Sequence, residues 1–159
     1  MGRSRLLLTR SVRNSLLRII RIKFTNYTNL FYVYLMTELI LKDESYKLIG
    51  ICMEVHSELG MGFREIVYKD AIEYELKSKG IQYLREQQFK IQYKSIILPH
   101  SYSADFIVYN SIILEVKATS VIVNNFVRQT INYLKASGLQ LGIIANFGEK
   151  SLASKRVVF

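Results

Sequence analysis

The sequence contains few residues that would cross-link the chain or divide it. Its single cysteine, Cys52, cannot form an internal disulfide and is too little for a zinc site. Pro99 is the only proline, and no proline- or glycine-rich linker, internal repeat or low-complexity tract interrupts the chain after residue 35. Only 22% of the residues are charged whereas 50% are hydrophobic, which excludes disorder for the bulk of the chain. A length of 159 residues fits one domain of ordinary size and excludes two large ones.

Acidic residues are absent from the first 35 positions, which hold seven arginines and lysines. Residues 36–159 keep 15 basic and 13 acidic residues, so their net charge is only +2 of the total of +9. A charge of +9 on a folded domain would favour nucleic-acid binding, because Lys and Arg neutralise phosphates. Here most of that charge belongs to a basic N-terminal extension, residues 1–35, and it says little about the partners of residues 36–159.

Several interpretations of residues 1–35 remain open. The composition changes abruptly at Met36, and we favour a mis-assigned upstream start, with a targeting segment or an amphipathic helix on anionic lipid as alternatives. Arg and Lys recur through residues 1–23, so this segment lacks the apolar core of a secretory signal or a membrane span. We expect no stable membrane insertion and a cytoplasmic protein.

Hydrophobic periodicity predicts one domain of helices and strands in residues 36–159. Apolar residues recur at helical spacing in three segments, 44–59, 63–79 and 121–137. Alternation or short β-rich runs predict strands at 81–98, 104–109, 112–116, 139–147 and 156–159. This order predicts an α/β or α+β fold with a mixed β-sheet flanked by helices, the third helix crossing over the sheet.

Two acids stand apart from the solvated charges of the helices. Asp105 and Glu115 each lie within an otherwise apolar strand, where a buried charge costs several kcal/mol unless it is paired or binds a metal. Lys117 follows Glu115 by two residues and therefore projects from the same face. A two-residue loop at 110–111 would place the carboxylates on opposite faces, whereas a three-residue loop centred on Asn110 would pair Asp105 with Glu115.

Two carboxylates beside an ammonium are the groups that metal-assisted phosphodiester hydrolysis requires. An Asp at the start of a strand and a Glu–Lys pair on an exposed face would give the same spacing. The spacing alone does not decide between these interpretations.

Short motifs in this order resemble those of known nucleases. Asp105 and the Glu-Val-Lys of residues 115–117 are similar to the PD-(D/E)XK signature, with Ala-Asp in place of Pro-Asp. Residues 62–68, GFREIVY, match the GxxExxY motif that names a family of small prokaryotic proteins assigned to that superfamily. Residues 129–133, QTINY, resemble the QxxxY element of RecB-like nucleases. The resemblance covers about residues 40–159.

This resemblance implies a restriction-endonuclease-like core and a set of site residues. Asp105, Glu115 and Glu65 are the implied ligands of Mg²⁺ or Mn²⁺. Lys117 is implied to orient water or stabilise negative charge, and Gln129 to reach the same pocket. Glu65 has a second explanation, because an acid in the first turn of a helix interacts favourably with the helix dipole.

Three further residues are predicted to support the site. Tyr68 and Tyr133 are expected to be core aromatics whose hydroxyls brace it, and Gly62 is expected to meet a backbone requirement. The implied activity is metal-dependent hydrolysis of nucleic-acid phosphodiesters, with DNA favoured over RNA. The alternative is a catalytically inactive nuclease-fold module that binds nucleic acid or a protein partner, and the oligomeric state stays open.

Overall fold

Residues 40–159 are described by a computed structural model of the chain. The helices are α1 (Lys42–Leu59), α2 (Glu65–Ser78) and α3 (Asn124–Ser137). The strands are β1 (Tyr83–Tyr93), β2 (Ile96–Val108), β3 (Ile112–Lys117), β4 (Leu141–Asn146) and β5 (Ala153–Val158). The basic extension of residues 1–35, with the interpretations proposed for it, lies outside the described residues.

The five strands form one mixed sheet in the order β1-β2-β3-β4-β5. Only β3 and β4 are parallel; the other neighbours are antiparallel. The chain passes from β3 to β4 through α3, because parallel strands need a crossover connection. Helices α1 and α2 pack on one face and α3 on the other, which confirms the predicted mixed sheet flanked by helices.

Two hydrophobic cores follow from this layering. Every residue of β3 and β4 is buried, as expected for central strands covered on both faces. The core beneath α1 and α2 contains Leu48 and the predicted α2 stripe of Tyr68, Ile72 and Leu76, all fully buried. The core beneath α3 is built around Leu134. Within residues 40–159, no helix is long and apolar enough to cross a membrane.

Strand β2 is longer than predicted, because it continues through Pro99. Lys90 pairs with Ser101 and Gln92 with Ile97, so a single β1 residue lies opposite three residues of β2. Pro99 lies within this bulge. Proline cannot donate to a strand ladder and is confined in sheets to edges and such irregular positions.

The connection between β2 and β3 decides the register that the sequence left open. Val108 pairs with Ile112, so the loop has three residues, centred on Asn110. Tyr109 and Asn110 both adopt positive φ, 56° and 54°. The last recorded pair is Phe106 with Leu114, and the next position in the same register places Asp105 opposite Glu115.

Strand β2 also changes direction at Asp105. Phe106 packs in the core beneath α1 and α2, whereas Ala104 packs in the core beneath α3, although side chains two residues apart normally share a face. Glu86, on the neighbouring strand, has a φ of 53° between the pairs that flank it. Asp105 therefore lies at a distortion of the sheet, where it contacts both β3 and α2.

Candidate active site

Asp105 and Glu115 hold each other in place through the main chain. The backbone N–H of Asp105 donates to Glu115 Oε1 at 3.3 Å, and that of Val116 donates to Asp105 Oδ2 at 2.9 Å. The side chain of Glu115 is 3% exposed and that of Asp105 19%. Each carboxylate thus accepts a hydrogen bond from the partner strand, and the two lie side by side.

Lys117 completes this group from the end of β3. Its Nζ donates to Glu115 Oε2 at 3.2 Å, as the alternation along the strand predicts. The same Nζ lies 5.4 Å from the ring centroid of Phe126, in cation–π range. The ammonium is therefore held between a carboxylate and an aromatic face, with its side chain 11% exposed.

The two carboxylates are close enough for each to affect the ionisation of the other. The pKa of Glu115 is raised to about 7, first by burial and then by the neighbouring charge of Asp105, while Lys117 and the Asp105 N–H act in the opposite direction. Two adjacent carboxylates, of which Glu115 is buried and Asp105 half-buried, resist being ionised together. A bound cation would relieve that repulsion.

Glu65 is the first residue of α2 and reaches the end of β3. Its Oε1 accepts a hydrogen bond of 3.3 Å from the backbone N–H of Ala118, directly after Lys117. Gly62 precedes the helix with a φ of 110°, a conformation that favours glycine. Glu65, which is half-buried, thus contacts the backbone of the residue that follows Lys117.

Tyr68 fixes the loop that leads into α2. Its hydroxyl donates to the carbonyl oxygen of Gly60 at 2.8 Å and accepts from the N–H of Phe63 at 3.2 Å. Its ring is fully buried and stacks on Phe147, with 4.4 Å between ring centroids. The hydroxyl therefore braces the approach to Glu65, and does not contact the carboxylate pair.

Gln129 and Tyr133 form the α3 side of the site. Gln129 Nε2 donates to Tyr133 Oη at 2.6 Å, one helical turn away. Burial raises the pKa of Tyr133 to about 12, with a further contribution from the charge of Glu115. Gln129 thus contacts Tyr133, which is 3% exposed and close enough to Glu115 for the charge of that carboxylate to affect its hydroxyl.

Lys69 is a contact of Asp105 that the sequence did not reveal. Its Nζ lies 3.2 Å from Asp105 Oδ1 and 3.2 Å from Glu86 Oε1. Burial alone would lower the pKa of Lys69, but the charge of Asp105 and hydrogen bonds to both acids outweigh burial and raise it. A lysine beside the apolar stripe of a helix is normally solvated, so no sequence pattern marks it.

Asn146 is a second residue that the sequence did not single out. It is fully buried at the end of β4. Its Oδ1 accepts from the N–H of Thr119 at 2.9 Å, and its Nδ2 donates to the carbonyl of Thr119 at 2.8 Å. Phe147 N–H adds a 2.7 Å hydrogen bond to the carbonyl of Lys117. These contacts fix the chain that leaves β3 just after the lysine of the site.

An open cleft of about 500 Å³ adjoins this group. It is lined by Phe63, Arg64, Glu65, Ile66, Lys69 and Ala118. The cleft therefore lies between the start of α2 and the end of β3, where both Glu65 and Lys69 border it.

A family model described as the PD-(D/E)XK nuclease superfamily matches residues 42–157. The chain belongs to the PD-(D/E)XK nuclease superfamily. With the mixed sheet and its flanking helices, this membership confirms the predicted restriction-endonuclease-like core. Membership of the narrower GxxExxY family stays a prediction.

Solved structures of low similarity also match this superfamily member. One is the crystal structure of SSO0001, with 18% identity and a TM-score of 0.48 over 58% of this chain and 48% of the other. Another is an alkaline exonuclease, LHK-Exo, from Laribacter hongkongensis, with 10% identity and a TM-score of 0.41 over 54% and 51%. The chain spans about half the length of each. A search of curated proteins found no match.

PD-(D/E)XK nucleases generally use divalent metals. Among residues 40–159, no three His, Cys, Asp or Glu side chains are grouped so as to hold a metal ion. Asp105 and Glu115 nevertheless fit Mg²⁺, which usually keeps several waters and is bound through one or two carboxylates. Glu65 does not join them in such a group, so its role as a ligand stays a prediction.

Proposed function

We propose that this protein is a metal-dependent nuclease that hydrolyses phosphodiester bonds of nucleic acid, with DNA as the favoured substrate. The observation that carries the proposal is the contact of Asp105 with Glu115 and of Glu115 with Lys117 in one largely buried group. Asp105 and Glu115 hold Mg²⁺ or Mn²⁺, and Glu65 approaches from the start of α2. The ion, when bound, polarises the phosphate and lowers the pKa of a coordinated water.

Lys117 stabilises the negative charge that develops on the phosphate during hydrolysis. Its ammonium is kept close to the carboxylates by Glu115 and by the face of Phe126. A cation fixed in a site of restricted water stabilises negative charge on a phosphate without having to reorganise. Gln129 and Tyr133 restrict the water around Glu115 from the α3 side.

The cleft beside the start of α2 is the proposed binding site of the substrate. Arg64 supplies a positive charge for a phosphate, and Phe63, 49% exposed, supplies an aromatic face for a base. Both residues lie next to Glu65. Nucleic acid bound there would bring a phosphate alongside the carboxylate pair.

A catalytically inactive nuclease-fold module is the second candidate, and one observation favours it. Lys69 already neutralises part of the charge of Asp105 through an ion pair of 3.2 Å. A module of this kind would bind nucleic acid without metal. Its binding would be unaffected by Lys117→Ala.

Cleavage assays on purified protein separate these candidates. Single- and double-stranded DNA and RNA are incubated with Mg²⁺ or Mn²⁺, and products are resolved on gels. We expect Asp105→Ala and Lys117→Ala to lower the cleavage rate by about 100-fold or more, with the circular dichroism spectrum retained. Lys77→Ala, an exposed lysine on α2 paired with Glu73, is the matched control and should cleave normally. A wild-type protein that cleaves none of these substrates would contradict the proposal.

A further inference from the structure

Both carboxylate oxygens of Asp105 are engaged in this structure. Oδ2 accepts from the N–H of Val116 at 2.9 Å, which fixes the side chain against β3. Oδ1 faces Lys69 Nζ at 3.2 Å. A metal ion that coordinates Oδ1 would therefore meet an ammonium already there, and two cations on one oxygen repel each other.

Lys69 differs from Lys77, the other lysine of α2, in the residues with which it pairs. It bridges two acids from adjacent strands, Asp105 on β2 and Glu86 on β1, and its side chain is only 14% exposed. Lys77, by contrast, pairs with Glu73 of its own helix and is 64% exposed. Lys69 thus has two possible anions at the site, one of them a proposed metal ligand.

Glu86 reaches Lys69 from an unusual backbone conformation. Its φ of 53° lies in the left-handed region, which is strained for a residue other than glycine. This strained position lies between the pairs that flank Asp105 on the neighbouring strand. The strained backbone of Glu86 therefore lies where its carboxylate becomes a second acceptor for the ammonium of Lys69.

We propose that Lys69 is a positioning residue that competes with the divalent ion for Asp105, with Glu86 as its alternative partner; this inference rests on the proposed metal site. In metal-free protein, Lys69 holds Asp105 in place and offsets its charge. A bound ion would displace the ammonium from Oδ1 and leave it paired with Glu86 at the wall of the cleft. Lys69 thereby sets how tightly the site holds its metal.

Direct measurement of metal binding tests this inference without any activity assay. Isothermal titration with Mn²⁺ is carried out on the whole chain at one pH. We expect Lys69→Met to bind Mn²⁺ about fivefold more tightly, the equivalent of about 1 kcal/mol at roughly 1.4 kcal/mol per tenfold. Lys69→Arg should bind like wild type, because it keeps a cation on Asp105. Lys77→Met removes the same charge from the same helix at a distance, and should leave the affinity unchanged.

Glu86 supplies an independent test that does not depend on removing Lys69. Glu86→Gln should weaken Mn²⁺ binding, because the ammonium is left with Asp105 as its anion. In the double variant Lys69→Met/Glu86→Gln, the effect of Glu86 should largely disappear, because no ammonium is left to redistribute. Circular dichroism verifies that each variant is folded.

The outcomes separate this inference from the metal site on which it rests. If wild type binds Mn²⁺ and Asp105→Asn does not, but folded Lys69→Met binds no more tightly than wild type, the competition is wrong and the metal site stands. The same conclusion follows if Glu86→Gln weakens binding equally with and without Lys69. If wild type binds no Mn²⁺, the metal site itself is overturned, and the competition with it.

Discussion

Glu115 makes the stability of the metal-free protein depend on pH. Its pKa is raised from 4.5 to about 7 in the folded protein, mainly by burial. The native state therefore binds this proton more tightly than the unfolded chain does. The stabilisation from the protonated carboxyl is complete below the unfolded pKa and is lost as the pH rises through about 7.

The magnitude follows from the size of that shift. A difference of one pKa unit corresponds to about 1.4 kcal/mol, so the shift to about 7 corresponds to roughly 3 kcal/mol. Glu115→Gln keeps a neutral side chain of similar shape at every pH. We expect the stability of the variant relative to wild type to increase by roughly 3 kcal/mol between pH 4 and pH 8.

Urea unfolding followed by circular dichroism measures this difference. The experiment is run in EDTA at several pH values, with Glu58→Gln, an exposed acid of α1, as the control. Glu58→Gln should follow wild type throughout. A stability difference between Glu115→Gln and wild type that stays constant from pH 4 to pH 8 would refute the reasoning, because it would mean that Glu115 ionises as freely in the fold as in the unfolded chain.

Two further predictions concern the packing that supports the site. A Cβ on Gly148 would lie 2.2 Å from the carbonyl oxygen of Thr119, so Gly148→Ala should lower the free energy of unfolding by about 2 kcal/mol or more. Gly50 lies within α1 with open space around it, so Gly50→Ala should raise the free energy of unfolding by about 0.5–1 kcal/mol. Urea unfolding of both variants checks this, and equal effects would contradict it. Tyr68→Phe removes the hydroxyl that contacts Gly60 and should lower the free energy of unfolding by about 1–3 kcal/mol in the same assay. An unchanged stability would show that the hydrogen bonds of this hydroxyl make no net contribution.

The sequence predicted the layers of the fold because each layer has its own periodicity. Tyr68, Ile72 and Leu76 recur at helical spacing, and all three are buried beneath the sheet. Alternation along β3 likewise placed Glu115 and Lys117 on one face, and their side chains are 3.2 Å apart. These are local patterns, which survive folding because a core selects one face of each element.

The remaining features depend on contacts between segments that lie far apart in sequence. Lys69 reaches Asp105 only because α2 packs across the distorted part of β2. The sequence of α2 gives no indication of this packing. The positive φ of Glu86 could not be predicted from the sequence, because the residue at this position is not glycine. The hairpin at Asn110 offered two registers of similar turn chemistry, and only pairing in the sheet selected the one that joins the carboxylates. The predicted strand region 81–98 stops before Pro99, whereas β2 passes through this proline at a bulge.

The most direct test of the central claim is an anomalous diffraction map of crystals grown with Mn²⁺. The claim is that Asp105 and Glu115 together hold the divalent ion of this nuclease-superfamily protein. We predict one anomalous peak within coordinating distance of a carboxylate oxygen from each residue, and its loss in Asp105→Asn crystals. At saturating Mn²⁺, a map without a peak between these carboxylates, or a peak that persists unchanged in Asp105→Asn, would contradict the account.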